Sequence, residues 1–110
     1  MRDFMKNTVS ITENRMFQRL YRKGKSLVTP FFVVYTMKNR QKFNRLGITA
    51  TKKIGNAVER NRAKRVIKEA YRLLESELPG GMDIVIVARK KTVFMKMQTI
   101  KAALGGLVLK

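Results

Sequence analysis

The 110-residue chain contains no cysteine, no histidine and no tryptophan, only two prolines, and seven acidic residues against 25 lysines and arginines. Without cysteine there is no disulfide scaffold, no thiolate nucleophile and no Cys-ligated zinc site. Without histidine there is no imidazole base, and most transition-metal sites are excluded. The acids that remain, Asp3, Glu13, Glu59, Glu69, Glu75, Glu77 and Asp83, are scattered along the chain. Phosphodiester hydrolysis by protein groups usually needs carboxylates gathered around two metal ions about 4 Å apart. No protein catalytic residue, metal site or bound cofactor is therefore expected. Long apolar runs are missing too: Ile84–Ala88 and Ala102–Leu109 fall far short of the roughly 20 residues that span a bilayer. Asp3, Lys6 and Asn7 interrupt any signal-peptide-like stretch. These absences predict a cytoplasmic protein with no membrane partner.

What the chain does hold is charge, a net +18 at neutral pH. Such an excess repels itself in the compact state and calls for a polyanion. At 45% hydrophobic residues the chain can still build a core, unlike a disordered basic tail. Its length suits one domain, expected over residues 10–110 behind a flexible N-terminal arm at 1–9.

Ser10 and Glu13 have capping-box spacing, and Met16, Phe17, Leu20 and Tyr21 follow at helical intervals up to Gly24. Three strands are predicted over Ser26–Val28, Phe31–Met37 and Arg45–Thr51, the last two antiparallel across the loop Lys38–Asn44. In the third, Leu46, Ile48 and Ala50 alternate with Arg45, Gly47, Thr49 and Thr51, so one face is apolar and the other carries little bulk. Asn56 and Glu59 then open a long helix that Pro79-Gly80-Gly81 stops. Asp83–Ala88 is apolar on both faces, as a covered strand should be. Met97, Ile100, Leu104, Leu107 and Val108 mark a last helix. The predicted order is αβββαβα.

Chemistry concentrates in the long helix and the turn before it. On a helical projection Ala63, Val66, Ile67, Ala70, Leu73 and Leu74 form one stripe. Asn61, Lys64, Arg65, Lys68 and Arg72 lie opposite, with Arg60 and Arg62 at the borders. An ordinary solvated helix face would mix in acids and carry its cations near the C-terminus, where the macrodipole favours them. Here Arg60, Arg62, Lys64 and Arg65 crowd the first turns, an arrangement that becomes favourable when phosphates arrive. A second group is aromatic: Phe17 and Tyr21 lie one turn apart, and Tyr35 shares a strand face with Phe31, Val33 and Met37. Two long helices on one sheet face would leave the other to the short first helix. The expected result is a groove floored by Phe17, Tyr21 and Tyr35 and edged by Lys52, Lys53 and Arg89. Such a groove suits single-stranded nucleic acid, because bases stack on rings without demanding a sequence.

The run Lys52-Lys53-Ile54-Gly55-Asn56-Ala57-Val58-Glu59-Arg60-Asn61-Arg62-Ala63-Lys64-Arg65, preceded by Leu46-Gly47 and a strand, closely resembles the signature of the bacterial ribonuclease P protein subunit, including its Arg-Asn-Arg core. Phe17 to Gly24 with Lys25 is similar to that family's first helix and turn, Tyr35 falls at its strand aromatic, and Ala88-Arg89-Lys90 ends the fourth strand in its style. Only the N-terminal arm lacks a match. Thr51 stands where Ser is usual and Lys91 where Pro is frequent. The resemblance implies an α+β, two-layer αβββαβα fold, ribosomal protein S5 domain 2-like, with a left-handed βαβ crossover. General rules favour the opposite hand, so that expectation rests on the resemblance.

It also implies a role. The small protein joins a catalytic RNA, and the pair removes the 5′ leader from precursor tRNA, with the catalytic centre and its Mg²⁺ in the RNA. On that basis Arg60, Asn61, Arg62, Lys64, Arg65 and Lys68 are assigned to the RNA subunit, and Phe17, Tyr21, Tyr35, Lys52, Lys53 and Arg89 to the leader. A ribosome-associated RNA-binding protein of the same fold, without a processing role, is the alternative. A DNA-binding regulator fits less well, because no helix-turn-helix partner or dimer seam is visible.

Overall fold

A computed structural model describes residues 8–78 and 80–108. Most of the expected arm, Pro79, and the side chains of Leu107 and Val108 lie outside the described residues. The chain runs β1 (Thr8–Ser10), α1 (Asn14–Lys23), β2 (Lys25–Val28), β3 (Phe32–Lys38), β4 (Asn44–Thr49), α2 (Ala57–Leu74), β5 (Met82–Ala88) and α3 (Met97–Val108). Short 3₁₀ turns cover Glu75–Glu77 and Lys90–Phe94. One five-stranded sheet has the order β1-β4-β5-β3-β2. Here β1, β4 and β5 are mutually parallel, β3 is antiparallel to β5, and β2 is antiparallel to β3.

The α+β fold stands, with two corrections to the expected layout. First, an additional strand precedes α1, so the order is βαβββαβα, and Thr8 and Val9 are ladder residues instead of arm. Ser10 does not cap α1. It pairs with Leu46, the Ile11 amide continues the ladder to the Leu46 carbonyl at 2.8 Å, and Glu13 takes the N-cap position without a side-chain cap bond. A local cap satisfies one orphan amide, whereas a strand pairing satisfies several backbone groups at once. Second, β3 and β4 run in opposite directions but do not pair, because β5 is inserted between them. A strand apolar on both faces belongs at the centre of a sheet. The loop between β3 and β4 accommodates it by clasping Gly81: the Asn39 amide donates to the Gly81 carbonyl, and the Gly81 amide to that of Phe43.

The start of α2 is as the sequence predicts. Asn56 Oδ1 accepts from the Glu59 amide at 2.9 Å, and Glu59 Oε1 accepts from the Asn56 amide at 3.0 Å. Gly55, at φ 155°, leaves the space that the returning Glu59 carboxylate occupies. The helix ends at Leu74, short of the Gly-rich stop, and passes into the 3₁₀ turn.

Each sheet face has its own cluster. On one, α2 and α3 cover Phe32, Val34, Leu46, Ile84 and Ile86 with Ala63, Ile67, Ala70, Leu74, Ile100 and Leu104. Tyr71, outside the predicted stripe, is fully buried there, while Leu73, inside it, is 37% exposed. On the other face α1 stands alone, held by Leu20 against Ile11 and Val85, with Met16, Phe17, Tyr35, Met37 and Val87 around them.

Candidate nucleic-acid interface

Strand register arranges the α1-facing side chains in transverse rows. The first is Arg45–Asp83–Met37, the second Gly47–Val85–Tyr35–Ser26, and the third Thr49–Val87–Val33–Val28. The helix seats itself over the first two. Leu20 is buried against Val85, and the Phe17 ring rests on Gly47, where an added Cβ would come within 2.5 Å of Phe17 Cε1. Gly47 is therefore the seat of the ring, not merely a residue of low bulk. Tyr21 meets Tyr35 edge-on with centroids 5.1 Å apart, and Phe17 lies 6.5 Å from Tyr21.

The three predicted aromatics thus form one continuous line along the margin of α1. Beyond it the third row is left half-buried to exposed, with Val28 at 65%. Past that row the chain places exposed Lys52 and Lys53 after β4 and exposed Arg89 after β5. Arg89 leans across the sheet end, its Nη1 donating to the Thr29 carbonyl at 3.4 Å. The structure thus brings Phe17, Tyr21 and Tyr35 together on one apolar floor and places Lys52, Lys53 and Arg89 beyond its far row.

The basic face of α2 is more differentiated than the helical projection shows. Asn61, Lys64 and Arg65 are exposed and Lys68 is half-buried. The two border arginines are fixed by backbone carbonyls: Arg60 Nη1 donates to Gly55 O and Arg62 Nε to Val93 O, both at 3.1 Å. Arg72 is engaged by Glu69 at 3.1 and 2.5 Å. That hydrogen bond holds the Glu69 carboxyl below its usual range and raises Arg72 further. Positive charge on this face runs from Arg60 to Lys68, ahead of the Glu69–Arg72 pair.

Because β1 pairs with Asn44–Leu46, the edge of β4 is uncovered among the described residues from Gly47 onward. A cleft of about 530 Å³ opens there, lined by Ser10, Ile11, Phe17, Leu46, Gly47, Ile48, Lys64, Arg65 and Lys68. It brings Phe17 of the aromatic set against three cations of the α2 set. The projection treats these as separate surfaces; the structure makes them neighbours.

Several of the described acids are engaged by neighbours. Asp83 accepts from Arg45 Nε at 2.7 Å, from Arg45 Nη2 at 2.9 Å and from Asn39 Nδ2 at 2.9 Å. Glu13 lies 3.4 Å from Arg15, and Glu59 is committed to the α2 cap. Among the described residues no three His, Cys, Asp or Glu side chains gather as a metal cluster would require. No helix among them is long and apolar enough to cross a membrane. Two apolar side chains are conspicuous for facing outward: Phe94 is 72% exposed and Val58 77%.

A basic helix face with a line of aromatic rings beside it defines a polyanion-binding protein of the kind that holds nucleic acid. Comparison with known proteins narrows this. The ribonuclease P family matches residues 5–110, beginning inside the segment expected as an unmatched arm. The ribonuclease P protein component of Thermoanaerobacter sp. strain X514 is 41% identical over 102 residues, covering 93% of this chain and 88% of its own. Among solved structures, the RNase P protein of Staphylococcus aureus superposes with a TM-score of 0.80 at 37% identity, covering 92% of this chain and 97% of that one. That of Thermotoga maritima superposes at 0.81 with 34% identity, covering 91% and 94%. The chain belongs to the ribonuclease P protein family and is a protein subunit acting in tRNA 5′ processing. A ribosome-associated role without processing is not favoured.

Proposed function

We propose that this subunit leaves bond cleavage to the RNA and divides its own surface between two RNA strands. Arg60, Asn61, Arg62, Lys64, Arg65 and Lys68 contact the RNA subunit, and the groove of Phe17, Tyr21 and Tyr35, closed by Lys52, Lys53 and Arg89, takes the single-stranded 5′ leader of precursor tRNA. The observation that carries this reading is the uncovered third row beside an unbroken line of three rings. A strand of RNA laid along that row stacks bases on the rings while its phosphates reach the lysines and Arg89. The scatter of the seven acids along the chain supports locating the metal-dependent centre, with its Mg²⁺, in the RNA. The setting is cytoplasmic, and no DNA partner is proposed.

Reconstitution tests the whole. Added to the RNA subunit at low magnesium, the protein should restore precursor cleavage, and no cleavage gain would refute the role. About six phosphate contacts should give a slope of log affinity against log salt on the order of −4 to −5. A flat response would refute the electrostatic account.

A further inference from the structure

Phe94 is a fixed projection, not a loose one. It ends the 3₁₀ turn Lys90–Phe94, whose Thr92 and Val93 are buried, with the Thr92 hydroxyl bonded to the Phe31 carbonyl. The Met95 amide donates back to the Thr92 carbonyl at 3.2 Å, and Met95 packs against the main core. With its neighbours pinned inward on both sides, the ring is held out at 72% exposure, forfeiting the stabilisation that burial would bring. Beside it stands Arg62, fixed by its bond from Nε to Val93 O, and Val58 lies one turn back on α2 at 77% exposure. Lys90 and Lys91 open the turn, both exposed.

We propose that Phe94, Val58 and Arg62 seat one unpaired nucleotide of the RNA subunit, its base stacked on the Phe94 ring and its phosphate held by Arg62. This rests on the reading of α2 as the face that meets the RNA subunit, and extends that face past its charged residues. The patch suits RNA because an exposed ring held in place here has Arg62 bonded to the adjoining carbonyl and two exposed lysines in its own turn. A guanidinium anchored through Nε still presents its terminal N–H donors to a phosphate. An unpaired base is specified because a base inside a duplex has both faces covered, whereas a splayed one offers a face to an aromatic ring.

The chain has no tryptophan, so Phe94→Trp creates a sole indole at the site, excited selectively over the three tyrosines. Titrating that variant with the ribonuclease P RNA transcribed from the same genome should quench the indole in step with binding measured by filter retention. Phe94→Ala and Phe94→Leu should each weaken RNA-subunit binding by about tenfold without changing the salt slope, because a stack and not a phosphate contact is lost. Arg62→Ala should lower the slope by about one. The proposal is overturned if Phe94→Leu binds like the parent, if the indole signal is unmoved at saturating RNA, or if it changes with protein concentration alone, which would assign the patch to a second copy of the chain. If the parent binds RNA normally and only these Phe94 outcomes fail, the α2 reading survives. If the parent does not bind, both fall.

Discussion

Two faces of one sheet are built from alternate residues of the same strands and are put to opposite uses. On the closed face Phe32, Val34, Ile84 and Ile86 are buried under α2 and α3. On the other, Tyr35, Val85 and Val87 share a single ten-residue helix, whose one fully covered side chain is Leu20. Strand alternation makes the partition possible, because each face can be tuned without touching the other. The closed face supplies the stability that lets the other leave rings and valines partly uncovered. Substitutions on the two faces should accordingly fail in different ways.

The largest effect is expected on the closed face. Ile67 is fully buried between α2 and the sheet, and Ile67→Ala should cost about 2–5 kcal/mol in a denaturant titration, with RNA-subunit and leader binding lost together as the fold goes. A variant that unfolds more easily yet keeps one activity and loses the other would break the comparison. On the open face the expected loss is selective. Phe17→Ala and Tyr35→Ala should leave RNA-subunit affinity unchanged and weaken binding of precursor tRNA with a long leader by roughly 5- to 150-fold, the equivalent of one stacked base. Binding of mature tRNA serves as the control, and equal losses on both would refute the groove.

Gly47→Ala sharpens the same contrast from beneath. The new Cβ displaces the Phe17 ring from its seat, and the side chain can rotate away without opening the closed face. About 1–3 kcal/mol of overpacking strain is the upper range for such an insertion, so the protein should remain folded while leader binding falls as it does in Phe17→Ala. Combining Gly47→Ala with Phe17→Ala should add little, since both remove one ring from one place.

These contrasts follow the boundary between what the chain spells locally and what only the fold supplies. The α2 capping box is written in adjacent residues, and Asn56 and Glu59 bond as their spacing says. The basic side of α2 and the line Phe17–Tyr21–Tyr35 follow from helix and strand periods, so they too could be read directly. Non-local pairings could not. Thr8–Ser10 becomes a strand only because Asn44–Leu46 lies beside it, and Ser10 with Glu13 imitates a cap that the sheet overrides. Likewise, the apolar stretch Ile84–Ala88 announces a buried strand, but not that it separates β3 from β4. Tyr71 escaped the projection because its hydroxyl is satisfied by Thr8, 63 residues away in sequence. The outward ring of Phe94 could not be foreseen either, since apolar character alone says bury.

That Tyr71–Thr8 bond sets the smallest test, and it asks whether the closed face also holds the rim of the open one. Burial pushes the Tyr71 phenol above its ordinary value of 10.0, with the hydrogen bond to Thr8 opposing the rise and the Glu75 charge adding to it. The folded state therefore keeps its proton more tightly than the unfolded chain. The stabilisation is complete below about pH 10 and is lost as pH climbs from there toward the folded-state value. Denaturant midpoints measured from pH 8 to pH 11 should fall more steeply for the parent than for Tyr71→Phe. At neutral pH Tyr71→Phe and Thr8→Val should each cost about 1 kcal/mol, the net worth of one hydrogen bond, and the double variant little more than either alone. Only the Tyr71 change should flatten the alkaline fall. Because β1 supplies Ser10 and the ladder beside Ile11 on one wall of the cleft with Lys64, Arg65 and Lys68, Thr8→Val should also weaken RNA binding slightly. An RNA affinity equal to the parent's would show that this wall stands without help from beneath.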